Sequence, residues 1–426
     1  METGFMIRGN CCYSKDKTHL EIVSGGYLVC IDGKSEGVYQ ELPEKYQTLP
    51  MKDYKDCLVI PGLTDLHVHA SQYAFRGTGM DLELLEWLNT HAFSEEAKYA
   101  DLEYAKKAYK LFAEDLKRGA TTRAAVFATI HKEGTKLLMD ILEETGLITM
   151  VGKVNMDRNA PDAIREPGAK EAVADTILWL KEIEGRYSYT KPILTPRFIP
   201  SCSDELMSGI KKIQAEYQLP VQSHLSENKE EIAWVQELSP DSDCYGDAYR
   251  KFGLFGGECP TIMAHCVYST KREIDLLKQQ GVYVAHCPQS NTNLASGIAP
   301  VRMYLDRNMH VGLGSDVAGG FATSIFRAMA DAVQVSKLRF RLQDQSLLPL
   351  TMEEAFYMGT KGGGSFFGKT GSFEKGYELD AVIIDDRTLP HPQELTVRER
   401  LERVIYLSDE RHIIGKYAAG RKILSQ

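Results

Sequence analysis

At 426 residues, the chain is long enough for roughly two or three domains, or for one large barrel with additions. Its 43% hydrophobic and 26% charged residues are the balance of a globular protein with its own core. A formal net charge of −9 argues against tracking nucleic-acid phosphates and against an anionic membrane surface, and no apolar run approaches the ~18 residues of a membrane-spanning helix.

Residues 1–60 read as short β elements separated by glycine-rich turns: FMIRGNCCY, LEIVSGGYLVCIDG and CLVIPG. The opening METGFMIRGNCCY has no apolar h-region, so no signal peptide is expected. The nine cysteines are scattered and form no C-x-x-C, a reduced, cytoplasmic pattern.

From residue 61 the pattern changes. The apolar stretches GLTDLHVH, ATTRAAVFA, ITMVGKVN, ILTPRF, VQSHL, TIMAHC, VYVAHC and HVGLGSD alternate with amphipathic segments such as LEYAKKAYKLFAEDLKRG and AVADTILWLKEIEGRY. Alternation of this kind predicts an α/β protein, a (β/α)8 TIM-type barrel over residues 61–369. Residues 370–426 return to β in GSFEKGYELDAVIID and RVIYLSDERHIIGKYAAGRKI, with turns at Gly371, Gly376 and GKYAAGRK. Asp380 and Asp385 read as turn residues. A β segment at each end predicts a small composite β-sandwich domain built from 1–60 and 370–426.

The chemistry gathers at the ends of the strands, where barrels place reactive groups. His67-x-His69 puts two imidazoles on one face of an extended strand, able to chelate one metal ion at about 2.0–2.1 Å if it is zinc. Further strands end near Arg197, His224 with Glu227, His265 and Asp316. Three histidines and a carboxylate from three different strands suffice to hold one ion. His224 and His265 taken singly read as core histidines; together with His67, His69 and Asp316 they read as a site. His286, in AHCPQSN at the end of the seventh strand, is assigned loop or barrel-mouth structure ahead of ligation.

The motifs PGLTDLHVH, SHLSE, MAHC, HCPQSN and GLGSDVAGG, in this order, resemble the amidohydrolase superfamily, and within it the mononuclear aminohydrolase branch. HASQY, LLEWL, FATIH, VGKVNMD, TPRF and SDVAGG narrow the resemblance to guanine-deaminating members. That resemblance implies hydrolytic deamination of guanine to xanthine and ammonia in purine salvage or catabolism. It implies His67, His69, His224 and Asp316 as ligands of one divalent metal, zinc by default, although Fe²⁺ accepts much the same set. Glu227 matches the proton-shuttling acid/base, His265 the histidine that orients the attacking water, and Asp316 the proton acceptor. Gln72, Arg197 and Phe198 match purine-binding positions, where His69, His224, Glu227 and Asp316 also meet the substrate. TPRF carries Arg197 where binuclear relatives often carry a bridging lysine, which favours one metal. A homodimer in the cytoplasm, with no nucleic-acid or membrane partner, completes the expectation. Trp87 is open between ring packing and plain core, and SQYAFRGTG is a guess for a lid.

The alternatives are another deaminase or hydrolase of the same branch, acting on an adenosine-like nucleoside, cytosine or a triazine, and an inactive scaffold. A scaffold would be expected to lose metal ligands, and none is missing. The unrelated deaminase fold needs H-x-E together with P-C-x-x-C, and no P-C-x-x-C occurs.

Overall fold

Short apolar strands carry the centre of the molecule. In the computed structural model, which describes residues 4–425, they run Leu63–His69, Thr121–Phe127, Ile148–Gly152, Thr190–Pro192, Val221–Leu225, Thr261–His265, Tyr283–His286 and His310–Leu313. The first four pair in chain order as one parallel sheet and the last four as another. Parallel neighbours need a crossover between them, and helices such as Leu102–Arg118, Lys132–Thr145 and Asp204–Tyr217 supply it. The fold is therefore mixed α/β with parallel sheets.

All the stretches expected as strands between residues 61 and 316 contribute, with one shift. The ladder expected over ILTPRF runs over Thr190–Pro192 and resumes at Thr195–Pro196, beside Val154–Asn155. Pro192 and Pro196 lack an N–H, so neither can continue a two-sided ladder. Hydrogen bonds also link the two sheets. Leu194 accepts from Gln222 and donates to Pro220, each at 2.9 Å. At the other side, Asp316 N–H donates to His67 C=O at 2.8 Å and His69 N–H to Val317 C=O at 3.1 Å.

Helix Leu102–Arg118 forms for local reasons. Asp101 caps it by accepting from the N–H groups of Glu103 and Tyr104. Its buried residues, Ala105, Ala108, Tyr109, Phe112, Ala113 and Leu116, fall on one stripe at three- and four-residue spacing.

The two ends of the chain meet in one seven-stranded sheet. Its order is Arg421–Ser425, Ile413–Ala418, Ala381–Ile384, Met51–Pro61, Gly4–Ser14, Leu20–Ile31 and Lys34–Tyr39. Where a sandwich is expected, the described strands pair as this single sheet, with apolar residues packed on both faces. Leu58 and Ile60 enter the large core, while Val59 between them packs with Ile7, Cys11, Leu28 and Phe373. GKYAAGRK makes the expected hairpin turn, with Ala419 and Gly420 both at positive φ (46° and 73°).

Two expectations about the C-terminal part are corrected. RVIYL is not a strand; it ends the helix Val397–Leu407, started by a Thr396–Glu399 capping box and buried through Leu401, Val404 and Ile405 at helical spacing. Asp380 is not a free turn residue. It is buried and grips Arg123 with two contacts, Oδ2 to Nε at 2.6 Å and Oδ1 to Nη2 at 3.0 Å. It also accepts from Thr122 Oγ1 at 2.9 Å and Ala419 N–H at 2.8 Å, tying the seven-stranded sheet to the second parallel strand. Gly62 permits this close docking, because a Cβ there would lie 2.1 Å from Thr122 Oγ1. Among the described residues, no helix is long and apolar enough to cross a membrane.

Candidate active site

The strand Leu63–His69 is buried along its whole length, so His67 and His69 leave water as the strand forms. Gly314 lets the eighth strand run on beside them, since a Cβ at that position would sit 2.8 Å from both His67 Cβ and Cys287 Sγ. The chain then turns at Ser315–Asp316. Buried Asp65 holds the turn, accepting from Ser315 Oγ at 2.5 Å, Ser315 N–H at 3.0 Å and His67 N–H at 3.1 Å. Ser226, His265, Cys266 and Asp316 all take positive φ at strand ends, a conformation non-glycine residues adopt only when their surroundings impose it.

Four side chains converge. His69 Nε2 lies 3.2 Å from His67 Nε2 and 3.3 Å from His224 Nε2. Asp316 Oδ1 lies 3.2 Å from His67 Nε2 and 3.5 Å from His69 Nε2. His224 Nδ1–H donates to the Arg197 carbonyl at 2.6 Å, which leaves its Nε2 as a lone pair. Burial holds His67 below the usual imidazole range, and His69 and His224 well below it. Burial would raise the Asp316 carboxyl, but His67, His265 and His69 together hold it well below the ordinary carboxylate value. Neutral imidazole lone pairs aimed at one point repel one another, and a carboxylate beside them adds negative charge. A divalent cation relieves both, and two overlapping triads that share His67 fit one: His67, His69 and His224, and His67, His265 and Asp316.

Beside this cluster stands a second pair. His265 Nε2 lies 3.3 Å from Glu227 Oε2 and 3.7 Å from Asp316 Oδ2. Asn291 Oδ1 accepts from His265 Nδ1 at 2.8 Å and fixes the ring. Burial pushes the Glu227 carboxyl up to about 7; the His265 charge opposes the shift and Asp316 adds to it. Burial would lower His265, yet the facing Glu227 and Asp316 raise it above its ordinary value. Ser296 Oγ donates to Glu227 Oε1 at 3.1 Å.

These groups open into a cavity of about 430 Å³, the open solvent at its mouth included. Gln72, Arg197 and Phe198 line it with His69, His224, Glu227, His265 and Asp316, so those expected site residues are brought to one place; His67 sits behind them, fully buried. Of SQYAFRGTG only Gln72 reaches the cavity. Leu84, Trp87 and Leu88, further along the chain, also line it. Trp87 is a wall residue, packed on Phe75 at 5.4 Å between ring centroids. His286 lies outside the cluster, buried, with neither ring nitrogen partnered among the described residues.

The sequence reading missed Glu96, Asn291 and Ser296. HCPQSN contains Asn291 and so flagged the stretch without the role. Nothing local marks Glu96 or Ser296, whose partners are remote in sequence.

Comparison with known proteins places this geometry. The Amidohydrolase family model matches residues 58–422. The chain is 36% identical to a guanine deaminase of Dictyostelium discoideum over 446 aligned residues, covering 98% of each. It is 34% identical to the guanine deaminase of Escherichia coli K12, over 95% of this chain and 92% of that one. The crystal structure of a guanine deaminase from C. acetobutylicum with guanine bound in its active site superposes with a TM-score of 0.96, at 47% identity, over 99% of this chain and all of that one. A family match across most of the chain, close relatives end to end and the convergent His/Asp cluster agree: the chain belongs to the amidohydrolase family.

Proposed function

We propose that this protein hydrolyses guanine to xanthine and ammonia, using one divalent metal ion held by His67, His69, His224 and Asp316. The observation that carries the reading is a convergence. The metal-fitting cluster, a carboxyl poised near neutrality (Glu227) and a buried guanidinium–amide pair (Arg197, Gln72) open into one cavity. Relatives named as guanine deaminases along the whole chain support it.

The reaction adds water to C2 of the purine and expels the 2-amino group as ammonia. The ion, when bound, supplies a water with its pKa lowered to about 7. Asp316 is anionic and accepts a proton from the attacking water. His265, steadied by Asn291, hydrogen-bonds the water oxygen and stabilises charge as the tetrahedral carbon forms. Glu227 exchanges protons readily near neutral pH. It protonates the ring nitrogen beside C2 and then passes a proton to the departing amine. Arg197 offers only donors, which suit the 6-carbonyl of guanine and leave a 6-amino group unmatched. A site of this kind can reject the mismatched analogue by roughly 10⁴–10⁵. Gln72 reads ring nitrogens, and Phe198 packs on the ring.

The same reading extends to the whole molecule. The links at Leu194–Gln222 and His67–Asp316 support one closed (β/α)8 barrel over residues 61–369. The seven-stranded sheet supports a small β domain from 1–60 and 370–426. Zinc in a cytoplasmic homodimer is the form this reading assigns to the enzyme.

The test is ultraviolet-monitored turnover of guanine, with metal content measured on the same sample. About one metal per chain is expected, with xanthine formed, no turnover of adenine or cytosine, and activity lost on chelation. Metal bound with turnover of a nucleoside, cytosine or a triazine instead of guanine refutes the substrate; no metal and no turnover after zinc or iron addition refutes the enzyme.

A further inference from the structure

We infer that Glu96 is a positioning residue that sets the donor pattern of the purine clamp. The inference rests on the proposed guanine reading. Glu96 does not line the cavity, yet it holds two polar residues that do, Gln72 and Arg197. Its Oε2 accepts from Arg197 Nη1 at 2.6 Å and its Oε1 from Gln72 Nε2 at 2.8 Å. All three side chains are buried: Glu96 is 2% exposed, Gln72 2% and Arg197 3%.

Arg197 depends on this contact. A guanidinium taken out of water needs a counter-charge, and among the described residues Glu96 makes its ion pair. Phe93 assists, with its ring centroid 5.2 Å from Arg197 Cζ. Phe93 and Glu96 stand three residues apart on one helical face, so one turn grips the guanidinium by its plane and by one edge. The remaining donors of Arg197 are left for a ligand.

Gln72 depends on it differently. Its Oε1 accepts from Ala318 N–H at 3.2 Å while its Nε2 faces Glu96. Flipping the amide would set oxygen against carboxylate and NH₂ against N–H. An anionic, acceptor-only partner at position 96 therefore fixes which Gln72 atom points each way. A neutral amide at 96 would pair with either orientation, and the clamp would lose its preference for one purine edge.

The experiment measures Glu96→Gln and Glu96→Asp beside the wild type, each with its metal content and thermal midpoint. Guanine binding to each protein is followed by calorimetry, and turnover by steady-state kinetics with guanine and 2,6-diaminopurine. Glu96→Gln is expected to weaken guanine binding and raise KM about 10- to 100-fold, the range for losing one charge-assisted hydrogen bond. Turnover at saturation should fall less than about fivefold, and the preference for guanine over the 6-amino analogue should narrow. Glu96→Asp, which keeps the charge, should recover part of the loss. Because Glu96 acts through Gln72, Glu96→Gln and Gln72→Ala should combine to less than the product of their separate effects. Unchanged KM and preference in a folded, metal-loaded Glu96→Gln overturns the inference, as does a loss confined to kcat. A wild type that binds and turns over a different substrate overturns the guanine reading first, and this inference with it; normal wild-type turnover with an indifferent Glu96→Gln overturns this inference alone.

Discussion

Replacing Glu227 with glutamine separates proton transfer from binding. Glutamine keeps the size of the side chain, and its carbonyl oxygen can still accept from Ser296 Oγ, which now reaches Glu227 Oε1 at 3.1 Å. Glu227 is outside the metal-fitting cluster, so metal content should not change. What is lost is a carboxyl that burial pushes up to about 7 and that therefore exchanges protons near neutral pH. A positioned acid/base typically contributes 10²–10⁴-fold, or about 2.7–5.4 kcal/mol of barrier. Glu227→Gln should lower kcat by that factor while KM for guanine stays within about threefold. The assay is steady-state conversion of guanine to xanthine, followed in the ultraviolet on protein of verified metal content. A kcat within tenfold of the wild type, in metal-replete protein, would refute the assignment of Glu227 as the proton carrier.

Two further perturbations probe the frame around the site. Asp380→Ala leaves Arg123 buried without its bidentate partner, and removing one member of a buried pair costs about 3–5 kcal/mol; urea unfolding should show it, and a change below about 1 kcal/mol would mean that the pair contributes little to docking the seven-stranded sheet. His286 is held neutral by burial, its pKa lowered to about 3, against about 6.5 in the unfolded chain. A folded value below the unfolded one gives stability that is fully present above about pH 6.5 and lost as pH falls towards 3, on the order of a few kcal/mol. His286→Leu should therefore flatten the fall in unfolding free energy over that window relative to the wild type, and two parallel profiles would show that His286 does not drive it.

Much of the frame follows from local pattern. An eight-membered alternation of apolar strands and amphipathic segments is visible because burial on both faces demands continuous apolar runs. His67-x-His69 is legible because a two-residue period fixes the face of a strand. The helical stripe of Leu102–Arg118 is set by its own spacing. RVIYL misled because an apolar run of that length suits a strand as well as the end of a helix, and the deciding Thr396–Glu399 box lies upstream.

The sequence by itself pointed to the residues proposed to bind a metal and move a proton, because strand ends gather them and the family resemblance suggests their roles. Tertiary structure decided what holds them. Glu96 meets Gln72 across 24 residues and Arg197 across 101, Asp380 meets Arg123 across 257, and Ser296 meets Glu227 across 69. No period or motif encodes such pairs. A lone acidic residue in a sequence reads as solvated surface until the fold removes the water around it, and only then must it find a partner.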